Sequence, residues 1–600
     1  ATYSITQSQI VSLTTGNSYC GTSTQSICVN YVAASCDGSY PSLSSSLSSF
    51  TATNQTYRVA SNATITISGV VYFNGCSLLM STGSVINVTP GSSLIFSDSK
   101  LYSCDGMWYG IKTLYNATSV GIVEFRNTTV EDAYKAVDAD NTINTLMPII
   151  YANGNSKFNK NYIDFSLDHT VVHTGLNTTF YLEQISMTSQ TSTTSPGSNL
   201  KCSNYYNPTI KARSYAGIYA SKAGDLDVTS NNAVFGNNVF KNKDYGMYLN
   251  KTNADVYNAN FIDMTSYKDS PICDINGCTS PLPYGIGIFS TNAPKYLNVK
   301  PLGSSTTVNT TFSNVGYSIL ANKTPTVDVQ YCSFDNPLQS SSTNFITGLE
   351  TSIGNTAVYL LDVNGTARVN KNTINKTYTG ISLNYSVTTT AANFLLSVGQ
   401  NTLTAGTGTL TTGINIVSVL TTPFNGTITN QVVAANTITN ARSTGVRLQN
   451  VTGGLRVSGN TITLTSANGI KDGILLNGNN NNVRVDNNTI DGNLTGAGVA
   501  TYNLNSCGIR SINSAGCKIQ CNTVKQIGKG IEYNGGNSSP GDGFFKNTLQ
   551  YPMRRGLVLS NGGLIGMQGS NTGTVTGASA NVWTGAWPAA NIADPNQTLV

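Results

Sequence analysis

The sequence predicts an all-β protein, a right-handed parallel β-helix (solenoid) with an N-terminal cap and a short C-terminal tail. Two phrases recur through the C-terminal half: an Asn-Thr pair followed by an aliphatic residue and, downstream of it, a Gly followed by an aliphatic residue. The phrases lie in short stretches of alternating polar and apolar residues, which are typical of half-buried strands. Because strands this short cannot bury a face alone, we expect them to stack coil upon coil around one narrow core.

The Asn of the first phrase marks the predicted coils. We expect these asparagines to form a ladder at one corner, with each side chain hydrogen-bonded to the coils above and below. The Gly of the second phrase is expected at the next corner, where a positive φ would favour it. An antiparallel β-sandwich would instead require hairpin turns about every 8 to 12 residues, without a fixed Asn phase. The ladder candidates, at intervals of 24 to 35 residues, are Asn372, Asn401, Asn436, Asn460, Asn488, Asn522 and Asn547.

The distribution of the phrases divides the chain into three segments. Residues 1–50 are rich in Ser and Thr and lack both phrases, so we expect a cap or docking segment that covers the edge of the first coil. Residues 51–570 are the predicted coil stack. Residues 571–600 are expected to be a C-terminal cap or contact tail. They contain Trp583 and Trp587, which either plug the core or anchor an intermolecular contact and are therefore candidate assembly residues.

The chain has 12 cysteines, several of them close together in sequence. This usage is typical of disulfides in an exported protein, although the sequence leaves their pairing open. Cys517 and Cys521 could alternatively form half of a zinc site, but the two histidines, His169 and His173, are far away in sequence. No metal and no other cofactor is therefore predicted. The disulfide candidates are Cys20, Cys28, Cys36, Cys76, Cys104, Cys273, Cys278, Cys507, Cys517 and Cys521.

Asn-x-Ser/Thr triplets make the chain a candidate glycoprotein. The chain begins Ala1-Thr2 without an initiator Met, so we expect that an export signal has been removed. No apolar run approaches the length of a membrane-spanning helix, and the expected location is extracellular or at the cell surface. The glycosylation candidates are Asn54, Asn62, Asn87, Asn116, Asn250, Asn364, Asn425 and Asn450.

Residues 84–137 contain more specific sequence motifs. They include a Pro90-Gly91 turn between alternating stretches, then Cys104-Asp-Gly-Met-Trp-Tyr-Gly-Ile111 and Asn127-Thr-Thr-Val-Glu-Asp-Ala133. These motifs resemble the opening coils of the large secreted and cell-surface β-helix proteins of Bacteroidetes-type bacteria, and residues 153–167 resemble their next coil. The resemblance implies a surface location and export by the type IX route, with a C-terminal sorting domain that is removed. It assigns no catalytic residue.

Charged residues are scarce, at 10% of the chain, with 33 Lys and Arg against 28 Asp and Glu. A net charge of +5 on this length argues against nucleic-acid binding. A glycosidase needs two carboxylates at a defined separation, and a lyase needs a base together with Arg, Lys or calcium to neutralise a uronate. The candidate clusters are Glu131 and Asp132 with Asp138 and Asp140, Asp164 and Asp168 beside His169, and Asp225 with Asp227.

Asp225 and Asp227 alternate on one predicted strand and would share its outward face. None of the three clusters combines with Arg or Lys at coil spacing, so no catalytic residue is assigned. The sequence predicts a non-enzymatic extracellular structural protein, a glycosylated subunit of a surface filament or sheath, or an adhesin stalk. Expected partners are further copies of the chain, in end-to-end or lateral assembly, and surface glycans. The alternatives are a polysaccharide lyase or glycosidase on a β-helix, and a glycan-binding module that uses some of the 31 tyrosines.

Overall fold

The computed structural model describes residues 9–17, 21–29, 40–103, 105–139, 149–169, 180–189, 214–229, 237–264, 285–301, 310–335, 356–385, 395–405, 411–418, 432–451, 454–465, 470–493, 504–536, 543–565 and 580–585. These residues form strands, turns and bends, and they contain no α-helix. Within this part of the chain, no helix is long and apolar enough to cross a membrane. The chain divides into two compact units, one of residues 1–318 with 343–351 and one of residues 319–342 with 352–600.

From β3 onward, both units are stacks of parallel strands in which each strand pairs with the corresponding strand of the next coil, which confirms the predicted parallel β-helix. Most coils contribute three short strands, one to each of three sheets. Each sheet turns its alternate residues inward, because successive side chains of a strand point to opposite faces. We call the sheets first, second and third in chain order within a coil.

The strands of unit 1 run from β1 to β27, and the division between the units falls within β28. They are β1 (Gln9–Asn17), β2 (Gly21–Val29), β3 (Ser46–Leu47), β4 (Phe50–Thr53), β5 (Thr56–Val59), β6 (Thr64–Ile67), β7 (Val70–Asn74), β8 (Ser77–Met80), β9 (Val85–Val88), β10 (Ser93–Ser97), β11 (Lys100–Ser103), β12 (Trp108–Thr113), β13 (Ile122–Arg126), β14 (Thr129–Glu131), β15 (Ala133–Asp138), β16 (Ile149–Asn153), β17 (Lys157–Asn159), β18 (Ile163–Asp168), β19 (Phe180–Leu182), β20 (Ser186–Thr188), β21 (Ala216–Thr229), β22 (Asn238–Lys241), β23 (Tyr245–Tyr257), β24 (Ala259–Ile262), β25 (Ile286–Thr291), β26 (Tyr296–Val299), β27 (Thr310–Ser313) and β28 (Tyr317–Asn322).

Aromatic rings form much of the core of unit 1. Phe73, Phe96 and Phe125 pair in register across the first sheet, and their rings stack 5.4 and 5.8 Å apart. Phe240, Phe261 and Phe312 repeat the arrangement in the second sheet, with ring centroids 4.6 and 4.8 Å apart. Offset stacking of buried rings adds stability beyond their burial, so these columns tie each coil to the next.

The strands of unit 2 begin with β29. They are β29 (Thr326–Gln330), β30 (Cys332–Asp335), β31 (Thr356–Leu361), β32 (Thr366–Asn370), β33 (Thr373–Asn375), β34 (Thr379–Tyr385), β35 (Leu395–Gly399), β36 (Thr402–Thr404), β37 (Thr412–Ser418), β38 (Val432–Ala434), β39 (Thr437–Ala441), β40 (Thr444–Gln449), β41 (Arg456–Ser458), β42 (Thr461–Leu464), β43 (Asp472–Asn477), β44 (Arg484–Asp486), β45 (Thr489–Asp491), β46 (Cys507–Ile512), β47 (Lys518–Gln520), β48 (Thr523–Asn534), β49 (Gly543–Phe545), β50 (Thr548–Ser560) and β51 (Val582–Thr584).

The Asn-Thr-aliphatic phrase opens the second-sheet strands of unit 2. Its Thr residues pair with one another from coil to coil, as Thr437 pairs with Thr461 and Thr461 with Thr489. The aliphatic residue that follows is fully buried in the core, as at Ile462 and Ile490. The phrase therefore encodes one corner, one outward position and one core position.

The seven predicted asparagines form one hydrogen-bonded column at the corner between the first and second sheets. Each side-chain Nδ2 donates to the Oδ1 of the next Asn, at 2.8 to 3.0 Å from Asn372 to Asn547. The same Nδ2 also donates to a backbone carbonyl in the preceding coil, as Asn460 does to Val433. Sequence reasoning missed the last rung, Asn581, which accepts from Asn547 and is followed by Val rather than Thr.

The residue before each ladder Asn adopts the left-handed conformation, for example Lys371 (φ 59°), Gln400 (φ 57°) and Ala435 (φ 55°). Left-handed backbone costs a non-glycine residue about 1 kcal/mol or more. This residue and the ladder Asn that follows it form a two-residue corner. The corner tolerates the strain because the ladder side chains hydrogen-bond to backbone groups that the turn leaves without a backbone partner.

The predicted reason for the recurring Gly is wrong. Six of the recurring glycines are second or interior residues of third-sheet strands, and none of them has a positive φ: Gly380, Gly413, Gly445, Gly473, Gly530 and Gly556. The seventh, Gly498, lies outside the described residues, and Gly508, which the phrase did not include, is the second residue of β46. A Cβ on Gly445 would lie 2.6 Å from the carbonyl oxygen of Gly473 and 2.6 Å from the Ile462 side chain. Glycine is required there because a core side chain and the next coil occupy the space of a Cβ.

Both predicted boundaries of the coil stack also need correction. At the N-terminal side, Ser42 already bridges to Arg58 in parallel and β3 pairs with β6, so coils begin inside the predicted cap of residues 1–50. Ahead of them, β1 and β2 form an antiparallel hairpin. At the C-terminal side, β51 pairs in parallel with β50, so the stack continues into residues 571–600.

Candidate functional site

Three of the predicted disulfide cysteines are free thiols, which corrects the prediction for Cys76, Cys507 and Cys521. Cys76 and Cys507 are buried within the coils, where a thiol packs as a small apolar group. Burial raises the pKa of the Cys507 thiol. Cys517 is buried as well, and its Sγ donates to the carbonyl oxygen of Ala515 at 3.7 Å. Cys332 begins a second-sheet strand, and its backbone N–H donates to the first ladder Asn. Cys20, Cys36, Cys104, Cys273 and Cys278 lie outside the described residues, and of Cys28 only the backbone is described.

The sequons fall into two groups by exposure. Asn54, Asn62, Asn116 and Asn364 are exposed, whereas Asn87, Asn250 and Asn450 are half-buried and Asn425 lies outside the described residues. Asn450 also accepts a hydrogen bond from the backbone N–H of Asn479 in the next coil, and a glycan there would disturb that contact. Glycosylation of the exposed group stays a prediction.

Of the two candidate assembly tryptophans, Trp583 lies on the last described strand, β51, and is 45% exposed. One part of its ring packs edge-on against Phe544 at 6.3 Å. Trp587 lies outside the described residues. Trp583 therefore both packs on the last coil and presents apolar surface to solvent.

The first two carboxylate clusters do not assemble into an open site. Asp138 is buried, with Tyr109 donating to Oδ2 at 2.7 Å and Lys135 Nζ 3.1 Å from Oδ1. Glu131 forms an ion pair with Lys100 at 3.2 Å. Asp132 occupies a left-handed corner (φ 62°) and accepts from the Ser103 backbone N–H, and Asp140 lies outside the described residues.

Asp164 turns into the interior of unit 1 rather than joining Asp168 and His169 in a surface site. Its Oδ2 lies 2.8 Å from Lys243 Nζ, and neither side chain is exposed. His169 is buried as well. Among the described residues, no group of three or more His, Cys, Asp or Glu side chains is arranged to hold a metal ion.

The third cluster does form a surface, which we call the acid–tyrosine face. Inward-facing Leu226, Val256 and Leu297 leave the alternate residues of β21, β23 and β26 on the outer side. Asp227 is exposed, and the other members are half-buried. The face comprises Asp225, Asp227, Asp255, Tyr257, Tyr296 and Asn298.

Asp255 is the centre of the acid–tyrosine face. Asn298 Nδ2 donates to its Oδ1 at 2.8 Å, and the Tyr257 hydroxyl approaches the same oxygen at 3.3 Å. Burial, together with the charges of Asp255 and Asp225, raises the pKa of Tyr296. Tyr296 therefore keeps its proton and donates to Asp255 throughout the physiological range. The face combines aromatic surface, hydroxyl groups and carboxylates on a rigid sheet.

A second polar cluster lies on the outer side of the third sheet of unit 2, and sequence reasoning missed it. We call it the charge network; it comprises Asp472, Arg510, Lys529, Glu532 and Ser560. Arg510 Nε lies 3.1 Å from Asp472 Oδ1 and 3.2 Å from Glu532 Oε2. Lys529 Nζ lies 2.7 Å from Glu532 Oε1, which also accepts from Ser560.

The charge network is buried, and its charges balance one another. The Asp472 and Glu532 side chains are 6% and 3% exposed, and two cations balance two carboxylates. Burial, and secondarily the charge of Glu532, raises the pKa of Asp472 to about 7 against the opposing effect of Arg510. A carboxyl that titrates near neutrality suits acid–base chemistry, but this one is shielded from a substrate by its own partners.

No family model matches the chain, and no curated protein matches it. Solved structures that align with it include a tailspike protein mutant of E. coli bacteriophage HK620 in complex with a pentasaccharide. That alignment is 11% identical at a TM-score of 0.25 and covers 84% of this chain and 72% of that chain. The periplasmic alginate epimerase AlgG aligns at 11% identity and a TM-score of 0.19, covering 84% of this chain and 77% of that chain. Neither alignment bears on a site or an activity.

Proposed function

We propose that the protein is an extracellular structural β-helix that acts as a subunit of a surface filament or sheath, or as an adhesin stalk. The observation that carries the proposal is the uninterrupted asparagine column of unit 2, in which every rung from Asn372 to Asn581 is hydrogen-bonded to the next. Such a column holds successive coils in one register. Low charge and a surface rich in hydroxyl and amide groups suit a protein that packs against copies of itself.

Assembly is tested by electron microscopy of the purified full-length chain over a range of concentrations. We expect filaments or sheets, and we expect Trp583→Ala to shorten them because Trp583 presents apolar surface on the last described strand. Val70→Ala is the matched control, since Val70 is a similarly exposed apolar residue (57%) within unit 1. Isolated particles at every concentration would contradict the filament, and equal lengths for the two variants would contradict the role of Trp583.

A second candidate function, glycan binding, is favoured by the acid–tyrosine face. Sugars stack on the faces of aromatic rings. Carboxylates accept hydrogen bonds from sugar hydroxyl groups, and side-chain amides both accept and donate them. Three carboxylates on the face would repel a uronate, because like charges at short range are unfavourable. The expected ligands are therefore neutral or amino sugars, which disfavours a uronate lyase on this surface.

Binding is tested by titrating the chain with neutral and uronate oligosaccharides. We expect binding of a neutral oligosaccharide that Tyr296→Ala weakens by about tenfold and that Tyr72→Ala, a half-buried tyrosine on β7 of the same unit, leaves unchanged. A preference for uronates would overturn the assignment. Release of reducing or unsaturated ends during the titration would instead identify the chain as a glycosidase or lyase.

A further inference from the structure

A buried amine and a buried carboxyl face each other inside unit 1. Lys243 Nζ lies 2.8 Å from Asp164 Oδ2, and both side chains are completely excluded from solvent. The register pairs Ile163 with Ala216 and Phe165 with Ile218. Asp164 therefore lies opposite Gly217, where a Cβ would run into the core ring of Phe240. Asp164 therefore points into the core at a position that the next coil leaves to glycine.

The groups around this pair are those that an amide would need. Asn161 Nδ2 donates to Asp164 Oδ1 at 3.0 Å. Lys243 Nζ donates to Ser214 Oγ at 2.6 Å, and that hydroxyl donates in turn to the Asn161 carbonyl at 2.6 Å. After condensation, the amide oxygen would keep the Asn161 donor and the amide N–H would keep the Ser214 acceptor. Oδ2, the oxygen nearest the amine, is the one that would leave.

The protein interior favours the uncharged forms of both groups. Burial raises the pKa of Asp164 to about 6 and lowers the pKa of Lys243, in both cases against the attraction of the partner's charge. A neutral amine is the nucleophilic form of lysine, and a protonated carboxyl can lose its hydroxyl group as water. Burying two ions in a core is also costly, and joining them as a neutral amide removes that cost.

We propose that Lys243 and Asp164 condense to an internal amide cross-link. The Nζ lone pair forms a bond to Asp164 Cγ, the bond from Cγ to Oδ2 breaks, and Oδ2 leaves as water with its own hydrogen and one from Nζ. No oxidant, reductant or other co-reactant is needed. The product is an isopeptide bond within the chain.

The cross-link would fasten three consecutive coils. Asp164 belongs to β18, which pairs with β21, and Lys243 lies two residues before β23, which pairs with the other edge of β21. The bond would close the segment between these residues into a covalent loop, so that unfolding releases less chain entropy than in an open chain.

The test is mass spectrometry of the full-length chain. We expect an intact mass below that of the sequence by one water molecule, no tryptic cleavage after Lys243, and a branched peptide that joins the segments around Lys243 and Asp164. An unmodified Asp164 peptide together with normal cleavage after Lys243 would overturn the proposal. The branched peptide distinguishes this bond from dehydration elsewhere in the chain.

Two variants sharpen the result. Asp164→Asn should condense with release of ammonia and give the same amide, so its linked mass equals that of the linked parent; Lys243→Met should show no linkage. If Lys243→Met does not fold, the parent digest and Asp164→Asn still decide the question.

The chain provides an internal control in Lys529 and Glu532. Their ion pair is equally short, at 2.7 Å, but Lys529 is 12% exposed and lies on the outer side of its sheet. Glu532 also pairs with Arg510, so its carboxylate is shared between two cations, and we expect no linkage there. A branched peptide at Lys529 as abundant as that at Lys243 would contradict the argument that burial selects the reactive pair.

Discussion

Each ladder asparagine replaces hydrogen bonds that a tight corner would otherwise leave unmade. At Asn460, the Oδ1 accepts from both the backbone N–H and the Nδ2 of Asn436, while the Nδ2 donates to Val433 O and to Asn488. Removal of this side chain therefore leaves several buried polar groups without partners, and each such group costs about 1 to 3 kcal/mol.

Asn460→Ala is accordingly expected to lower the free energy of unfolding by roughly 3 kcal/mol or more. The measurement is denaturant unfolding followed by circular dichroism. Asn364→Ala is the matched control because Asn364 is exposed and lies outside the column; it should change the midpoint little. Equal effects of the two variants would contradict the structural role of the ladder.

The reactivity of the cysteine thiols gives a second test at the scale of single residues. Iodoacetamide applied to the native chain should label Cys521, which is half-buried, well before Cys332 and Cys507. The latter two are slow because they are buried and burial raises the pKa of each thiol, while the thiolate is the reactive form. Peptide mass spectrometry measures each site, with the chain in denaturant as the reference for full labelling. Native labelling of Cys507 as fast as that of Cys521 would contradict its position.

At the scale of the strands, the third sheet of unit 2 approaches the second sheet so closely that one position near the start of β43, Gly473, has no room for a side chain. At Gly473 a Cβ would lie 2.5 Å from the carbonyl oxygen of Gly508 and 2.5 Å from Ile490 Cγ2. The carbonyl belongs to the backbone of the next coil and cannot turn aside. The strand would have to move away from its neighbour, which weakens both pairings.

Gly473→Ala should therefore destabilise unit 2 by about 1 to 3 kcal/mol, although alanine normally restricts the unfolded chain and stabilises a protein. Gly536→Ala serves as the control, since a Cβ there meets nothing within 4 Å and its φ is not positive. Its effect should stay within about 0.5 kcal/mol. Thermal unfolding of the two variants gives the comparison, and a Gly473→Ala chain as stable as the parent would refute the packing argument.

At the scale of the whole molecule, charged residues are few. A single buried carboxyl should therefore contribute measurably to the pH dependence of the free energy of unfolding. The folded pKa of Asp472 is raised to about 7, against about 3.9 in an unfolded chain. The folded state thus holds the proton more tightly, so stability is greatest below about pH 4 for this group and falls as the pH rises towards 7.

Asp472→Asn should abolish this part of the pH dependence. The free energy of unfolding, measured by denaturant titration from pH 4 to pH 8, should decline more steeply in the parent than in the variant, by roughly 1.4 kcal/mol for each unit of pKa difference. Subtracting the two curves removes the contributions that parent and variant share, including that of Asp164, whose pKa is raised in the same direction wherever it is not linked to Lys243. Parallel curves would show that Asp472 titrates at its ordinary value in the folded chain.

Periodicity explains which of these features the sequence predicts. The asparagine column was predictable because a buried corner repeats the same residue, and the core positions because strands alternate. The charge network was not, since Asp472, Arg510 and Glu532 meet only through a register that coils of unequal length conceal. Asp164 was noticed beside His169, but its partner Lys243 belongs two coils further on. The recurring Gly was recognised, but the reason for it was not. The close approach of two sheets depends on residues far away in sequence and leaves no pattern around the Gly itself.

The turn before each ladder Asn has the same length in every coil. This fixed length limits the places at which the chain can accept an inserted sequence. Rungs of the column are separated by as few as 24 residues, from Asn436 to Asn460, and by as many as 35, from Asn401 to Asn436, yet each keeps the same turn. One extra amino acid at that turn would reverse the inward and outward faces of the strand that follows. Grafted epitopes or enzymes belong at the other corners, where extra length projects outward and the pitch of the winding is preserved.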